Sequence, residues 1–237
     1  MPMTLSIEEI TGDFPLFKVA VVHATGLQIV PKRADDLNAL IELRQEECRT
    51  RFPGTPLSEI AGISVWRDAY RRFGVKKTSY RNSVERIVKN ILTERGLPEI
   101  NSFVDCYNAV SLKHIFPVGA DDLGKIENKI AFRYSRPADT FFPLGQSEAE
   151  NDPPKSGEVV LAAGSNVLCR RWNWYQDARS PIGLSTDRAL VTIQSHGEGD
   201  LKAAADDLVD LLGRFCNAGC HVKIASADNP LVELPDG

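Results

Sequence analysis

Three short segments of this chain hold more polar chemistry than a protein core tolerates. They are Val104-Asp105-Cys106-Tyr107-Asn108-Ala109-Val110-Ser111-Leu112, Gly157-Glu158-Val159-Val160 and Cys169-Arg170-Arg171-Trp172-Asn173-Trp174. Carboxylates, amides and guanidinium groups cost free energy when buried without partners, so this interleaving with apolar residues predicts a polar cleft. The chemistry on offer is hydrogen bonding, ion pairing and aromatic contact. Other chemistries find no motif. There is no Gly-Lys-Ser/Thr phosphate loop, no paired-glycine dinucleotide fingerprint after a strand and no Gly-x-Ser-x-Gly turn. Cys216, Cys220 and His221 fall short of the tetrahedral ligand set of a structural zinc site and straddle a helix end. The reading is therefore no metal and no cofactor. His23, His114 and His196 stand without a Cys or Ser partner nearby in sequence.

The elements that must position these segments follow from periodicity. Phe17 to Val22 reads as a strand. Residues 34–51 read as a helix with Leu37, Leu40, Ile41 and Cys48 on one side. A short helix over 62–73 sets Trp66, Tyr70 and Phe73 on one face, which predicts core packing and not a base-stacking platform. Asn82-Ser83-Val84-Glu85 has the form of a capping box, opening a helix that Gly96 and Pro98 close. A further helix spans about 100–112. Strands follow at 130–134, 158–161, 167–172 and 189–194, then an amphipathic helix over 201–215 and a last strand at 221–225. Helices and strands intermix without regular alternation. The expected class is α+β, layered mixed β-sheets packed with helices, in a single domain over 1–237.

Composition adds limits. The chain has 237 residues, a formal charge of −4, 43% hydrophobic and 25% charged residues, the profile of a globular protein with a substantial core. No apolar run approaches the ~20 residues of a membrane span, and the N-terminus lacks a basic region followed by an apolar block. Five cysteines without a framework pattern point to a reducing cytoplasm. Residues 64–90 contain eight Lys/Arg against two acids. Arg67, Arg71, Arg72, Lys76, Lys77 and Arg81 could form a phosphate-contacting stripe on an acidic protein, and a solvated helical surface explains the same residues.

The order of several further pieces is informative. Leu97-Pro98-x-Ile100-Asn101, Val104-Asp105 and Asn108 come first, then 117–126, Ile130–Arg133, Leu144-Gly145, 158–162 and 167–174. Over roughly residues 60–195 this series resembles the B-three/B-four editing domain of the bacterial phenylalanyl-tRNA synthetase β subunit, and more closely its freestanding relatives. In that resemblance residues 117–126 fall on a turn and short helix, and the rest of the chain adds an N-terminal strand and helix and a C-terminal helix and strand. Three places depart. Tyr107 stands where a threonine is typical, Gly119 where a histidine is typical, and Arg171-Trp172-Asn173-Trp174 where the synthetase pocket is small and Gly-rich. These replacements imply a reshaped pocket with a different amino-acid preference.

The resemblance implies a tRNA-binding protein that hydrolyses mischarged aminoacyl-tRNA in trans. It does not imply a synthetase, since the chain carries no synthetase catalytic domain. An ester is already activated, so water and an oxyanion site suffice and no Ser or Cys nucleophile is needed. Glu158, Asn108 and Asn173 are then the expected catalytic groups. Asp105, Tyr107, Ser111, Gly119, Arg170, Arg171, Trp172 and Trp174 are the expected substrate contacts, with strand alternation turning only one of the two arginines inward. A buried polar network that fixes the fold explains the same residues. Two other functional readings remain: a noncatalytic tRNA- or RNA-binding module, and an amino-acid-binding protein without RNA.

Overall fold

The computed structural model describes residues 2–75, 80–146 and 150–235. In chain order the elements are β1 (Met3–Ser6), α1 (Glu8–Thr11), β2 (Phe17–Thr25), α2 (Asp35–Arg51), α3 (Ala61–Arg72), α4 (Ser83–Leu92), α5 (Ser102–His114), β3 (Val118–Asp122) and β4 (Lys129–Tyr134). Then follow β5 (Val159–Ala163), β6 (Asn166–Arg170), β7 (Tyr175–Gln176), β8 (Ala189–His196), α6 (Leu201–Cys216), β9 (Gly219–Ala225) and β10 (Leu231–Leu234). The protein is α+β, with two sheets packed with helices. One sheet has the order β10-β1-β4-β5-β6-β7, the other β3-β8-β2-β9. Among the described residues no helix is long and apolar enough to cross a membrane.

Strand alternation builds the layers. Ala20, Val22 and Ala24 of β2, with Val191 and Ile193 of β8, face α5 and α6 through Phe103, Ala109, Val110, Leu208 and Leu212. Phe17, Val19 and Val21 point the other way, onto Ile130, Phe132, Val159 and Leu161 of the six-stranded sheet. The four-stranded sheet is thus the middle layer between helices and a second sheet, and β2 is buried over nearly its whole length. Trp66 and Tyr70 of α3 are buried in the inter-sheet core, and Phe73 packs against it.

Helix ends follow local chemistry. Asn82 Oδ1 accepts from the Glu85 amide at 2.8 Å, the first half of a capping box. The second half does not form, because the Glu85 carboxylate turns to Arg67 and Arg81 instead. Asn101 Oδ1 caps α5 through the Val104 amide at 2.9 Å. At its other end Ile115 is left-handed, φ 57°, and Ser111 Oγ donates to the Phe116 carbonyl at 2.6 Å across that turn. Gly62 is required there: a Cβ would stand 2.7 Å from the Ile115 carbonyl oxygen.

Two expectations need correction. Residues 118–122 form an edge strand pairing with β8, not a turn and short helix. The strand expected over 167–172 stops at Arg170; Arg171 and Trp172 adopt positive φ of 46° and 66°. Two consecutive bulky residues in that region cost about 1–3 kcal/mol each, so something must overdetermine the turn. Trp172 does. It is fully buried, with edge-on contacts to Phe14, Phe17 and Trp66 at centroid distances of 4.7, 4.9 and 5.3 Å. Its amide also donates to the Val159 carbonyl at 2.6 Å. Trp172→Ala is expected to lower the unfolding free energy by about 3–5 kcal/mol, measurable by denaturant titration.

Candidate functional site

A cavity of about 360 Å³ opens at the β3 edge of the middle sheet, where α4, α5 and the turn after β6 converge. Its apolar wall includes Ile87, Pro98, Val118, Leu144, Leu161 and Leu168. Its polar wall comes from every layer: Tyr107 and Asn108 on α5, Gly119 and Asp121 on β3, Cys169 on β6, Asn173 and Trp174 in the turn, Gln176 on β7, Thr192 and Gln194 on β8. Apolar walls with a few convergent polar groups are typical of small-molecule sites.

Of the expected substrate and catalytic residues, Tyr107, Asn108, Gly119, Asn173 and Trp174 meet on this cavity. Asn108 is half-buried and makes no side-chain hydrogen bond among the described residues, so its amide is free for a ligand. Asn173 is committed: its Oδ1 accepts from Tyr70 Oη at 2.7 Å and its Nδ2 donates to Gln194 Oε1 at 3.1 Å. Gln194 Nε2 continues the chain to Thr192 Oγ1 at 3.3 Å. Ser83 Oγ, from α4, is buried on the same cavity without a partner. The Cys169 thiol is pushed up to about 12 by burial and by Asp121, so it stays protonated and is no nucleophile.

The remaining expected residues lie elsewhere. Glu158 is buried and held by Arg170 through two bonds, Nε–Oε2 2.9 Å and Nη2–Oε1 3.1 Å, with Arg171 Nη2 3.4 Å from Oε1. Both arginines turn inward, because the strand ends between them and alternation no longer applies. Arg170 also pairs with Asp152. The Arg171 guanidinium lies 3.9 Å from the Tyr80 ring centroid and 4.4 Å from that of Trp174. Asp105 is buried against Arg33, Nε–Oδ2 3.2 Å, and accepts from the Ile100 amide at 3.1 Å. Ser111 closes the α5 end, and Trp172 fills the core. Glu158, Arg170, Arg171, Asp105, Ser111 and Trp172 are thus held by ion pairs, hydrogen bonds or core packing and do not line this cavity.

The basic stripe is partly neutralised. Arg67 and Arg81 share the buried Glu85 carboxylate at 2.6 and 3.2 Å, and Arg71 pairs with Asp68. Arg72 is exposed and reaches the Asp13 carbonyl. Lys76 and Lys77 lie outside the described residues.

Sequence reasoning missed Asp121. It is 4% exposed; Oδ1 accepts from Ser180 Oγ at 2.6 Å and Gln176 Nε2 at 3.4 Å. Burial pushes its carboxyl up to about 6, with Asp177 adding to the rise and the two hydrogen bonds opposing it. The signal was the alternation Gly119, Asp121 in a short strand, hidden by reading the segment as a turn.

A scan against family models matches the B3/4 domain over residues 65–217. This chain belongs to the B3/4 domain family. Among solved structures, an N-terminal fragment of the phenylalanyl-tRNA synthetase β subunit from Pyrococcus horikoshii is similar, at 15% identity and a TM-score of 0.44, over 98% of this chain and 54% of that one. This chain therefore spans about half of that fragment's length. No curated protein matches. The family span does not reach β1, β2, β9 and β10, yet β2 is the buried strand between β8 and β9, so the B3/4 core here is completed from both sides of the matched region.

Two outcomes are expected. Glu158→Ala removes the buried carboxylate that Arg170 and Arg171 share, leaving Arg170 with Asp152 and Arg171 with its ring contacts alone, and should cost about 3–5 kcal/mol of stability in denaturant melts. Asp121→Asn should stabilise. A carboxyl whose folded pKa lies above its unfolded value destabilises the fold once it ionises, so stability falls as pH rises from about 4 to about 6. The variant should gain on the order of 3 kcal/mol over the parent at pH 7.5 and nothing near pH 4, read from thermal melts at both.

Proposed function

We propose that the cavity receives the aminoacyl end of a tRNA and hydrolyses its ester, removing misattached amino acids in trans. The observation that carries this reading is the unengaged Asn108 amide beside the committed Asn173–Gln194–Thr192 chain, within a cavity of about 360 Å³ in a B3/4 domain. Ligand cavities of roughly 300–1,000 Å³ take small molecules, so an amino-acid side chain fits and a folded tRNA must stay outside.

In this reading water adds to the ester carbonyl, Asn108 Nδ2 donates to the developing oxyanion, and the bond to the ribose oxygen breaks. That oxygen takes the proton that water gives up, leaving a free amino acid and intact tRNA. Arg86 lines the cavity, is exposed, donates to the Trp174 carbonyl at 3.2 Å and lies 5.7 Å from the Tyr175 ring. Such a cation–aromatic edge suits a terminal nucleotide. We further propose that the whole of 1–237 acts as one unit and that the exposed arginines Arg71 and Arg72 contribute phosphate contacts.

A second reading, a noncatalytic tRNA-binding module, is favoured by one observation: among the described residues the cavity wall includes no histidine, and burial holds the Cys169 thiol in its protonated form. It predicts salt-steep tRNA binding without turnover. The deciding experiment is deacylation of a panel of mischarged tRNAs by the purified full chain. Acceleration of at least one above buffer is expected, and none above buffer removes the hydrolytic reading for that panel. Asn108→Ala should lower the rate by about tenfold or more, about 1.4 kcal/mol of transition-state stabilisation, with the melting midpoint and tRNA affinity nearly unchanged. A folded variant that hydrolyses at the parent rate takes Asn108 out of the site.

A further inference from the structure

Seven carboxylates are buried in the described structure, and six of them have a cation. Glu85 pairs with Arg67 and Arg81, Asp105 with Arg33, Asp122 with Lys125, Asp139 with Arg133, Glu158 with Arg170 and Asp177 with Arg179. Asp121 is the exception among the described residues. Its buried side chain has no ion-pair partner, and only Oδ1 is hydrogen-bonded, to Ser180 and Gln176. Oδ2 has no hydrogen bond, and the residue lines the cavity. The groups around it supply no positive charge: Tyr107 on α5, Cys169 on β6, Gln176 on β7, and Asp177 and Ser180 beyond. Asp177 is itself held by Arg179, two bonds from Nε and Nη2 at 2.7 and 2.9 Å. Arg86, the cation of the cavity wall, instead contacts the Trp174 carbonyl and the Tyr175 ring.

A buried carboxylate facing an open cavity without a cation is half of an ion pair. We propose that Asp121 is the anchor for a ligand's ammonium group, so that the cavity takes amino-acid derivatives with a free α-amine and rejects their N-acylated counterparts. This rests on the reading of the cavity as an aminoacyl site and narrows it: aminoacyl-tRNA enters, whereas formylated or peptidyl-tRNA does not. An N-acyl nitrogen is neutral and presents one N–H, so it forfeits the charge-assisted bond and leaves the carboxylate buried and unpaired. Ionised Asp121 is needed for the attraction. The discrimination therefore holds above the Asp121 transition near 6 and fades below it, while an α-amine, with an ordinary pKa of about 7.7–8.0, stays mainly protonated up to about pH 7.5.

The test uses the full chain, no RNA and non-hydrolysable probes. A panel of L-amino-acid amides and their N-acetyl counterparts is titrated calorimetrically at pH 7.5 and pH 5. At pH 7.5 the amides that bind should do so at least about tenfold more tightly than their N-acetyl partners. The preference should shrink at pH 5 and vanish in Asp121→Asn, whose folding is checked by its melt. Three results would overturn the anchor: no free-amine amide binds, N-acetyl amides bind equally well in the parent, or Asp121→Asn keeps the preference. Hydrolysis fails separately. A protein that selects amines but leaves mischarged tRNA intact loses the deacylase reading alone. One that deacylates N-acetyl-aminoacyl-tRNA as fast as aminoacyl-tRNA loses the anchor alone.

Discussion

The site depends on one buried ion cluster, Glu158 between Arg170 and Arg171. A lone carboxylate or guanidinium in that position would be prohibitively desolvated, so the three groups are tolerated only together. Their mutual grip fixes the end of β6 against the start of β5. It thereby sets where the chain leaves the strand. From that point Trp172 is driven into the inter-sheet core, and the two residues after it, Asn173 and Trp174, emerge on the cavity. The left-handed backbone at Arg171 and Trp172 is strained, and the strain is held by charge on one side and aromatic burial on the other. Polar residues that resemble a catalytic cluster in the sequence thus fix the turn from which Asn173 and Trp174 reach the cavity.

The layered architecture explains why the cavity lies at an edge. Inside the sandwich, Phe17, Phe132 and Trp66 fill the gap between sheets. At β3 the large side chains run out. Gly119 contributes none, and a Cβ there would meet nothing nearer than Thr192 Oγ1 at 3.9 Å. The space a side chain would occupy stays open, and the polar chain of Asn173, Gln194 and Thr192 lines it with its groups hydrogen-bonded to one another.

What the sequence discloses depends on how local the cause is. Helix faces were legible, since Trp66, Tyr70 and Phe73 repeat at helical spacing and are buried or packed against the core as that spacing requires. The cap at Asn82 was legible for the same reason, and its missing half was not, because Arg67 lies on another helix. Asp105 looked like a cleft residue because its partner Arg33 is remote in the chain. Arg170 and Arg171 were assigned to opposite faces by a rule that holds only while the strand continues. Asp121 went unnoticed because its strand alternation with Gly119 was read as a turn, and what sets it apart, the absence of a cation among the described residues, is a property of the folded surroundings.

The position of β2 also bears on how the chain acquires its shape. This strand pairs with β8 along Phe17 to Ala24 and with β9 along Val19 to Thr25, so both of its edges are filled by residues beyond 188. During synthesis it emerges before both of its partner strands and cannot complete either pairing until β8 and β9 have followed. Such long-range pairing makes folding slow and leaves the intermediate prone to association with other chains. The protein's solubility in the making therefore rests on what shields Phe17–Thr25 while its neighbours are still being translated.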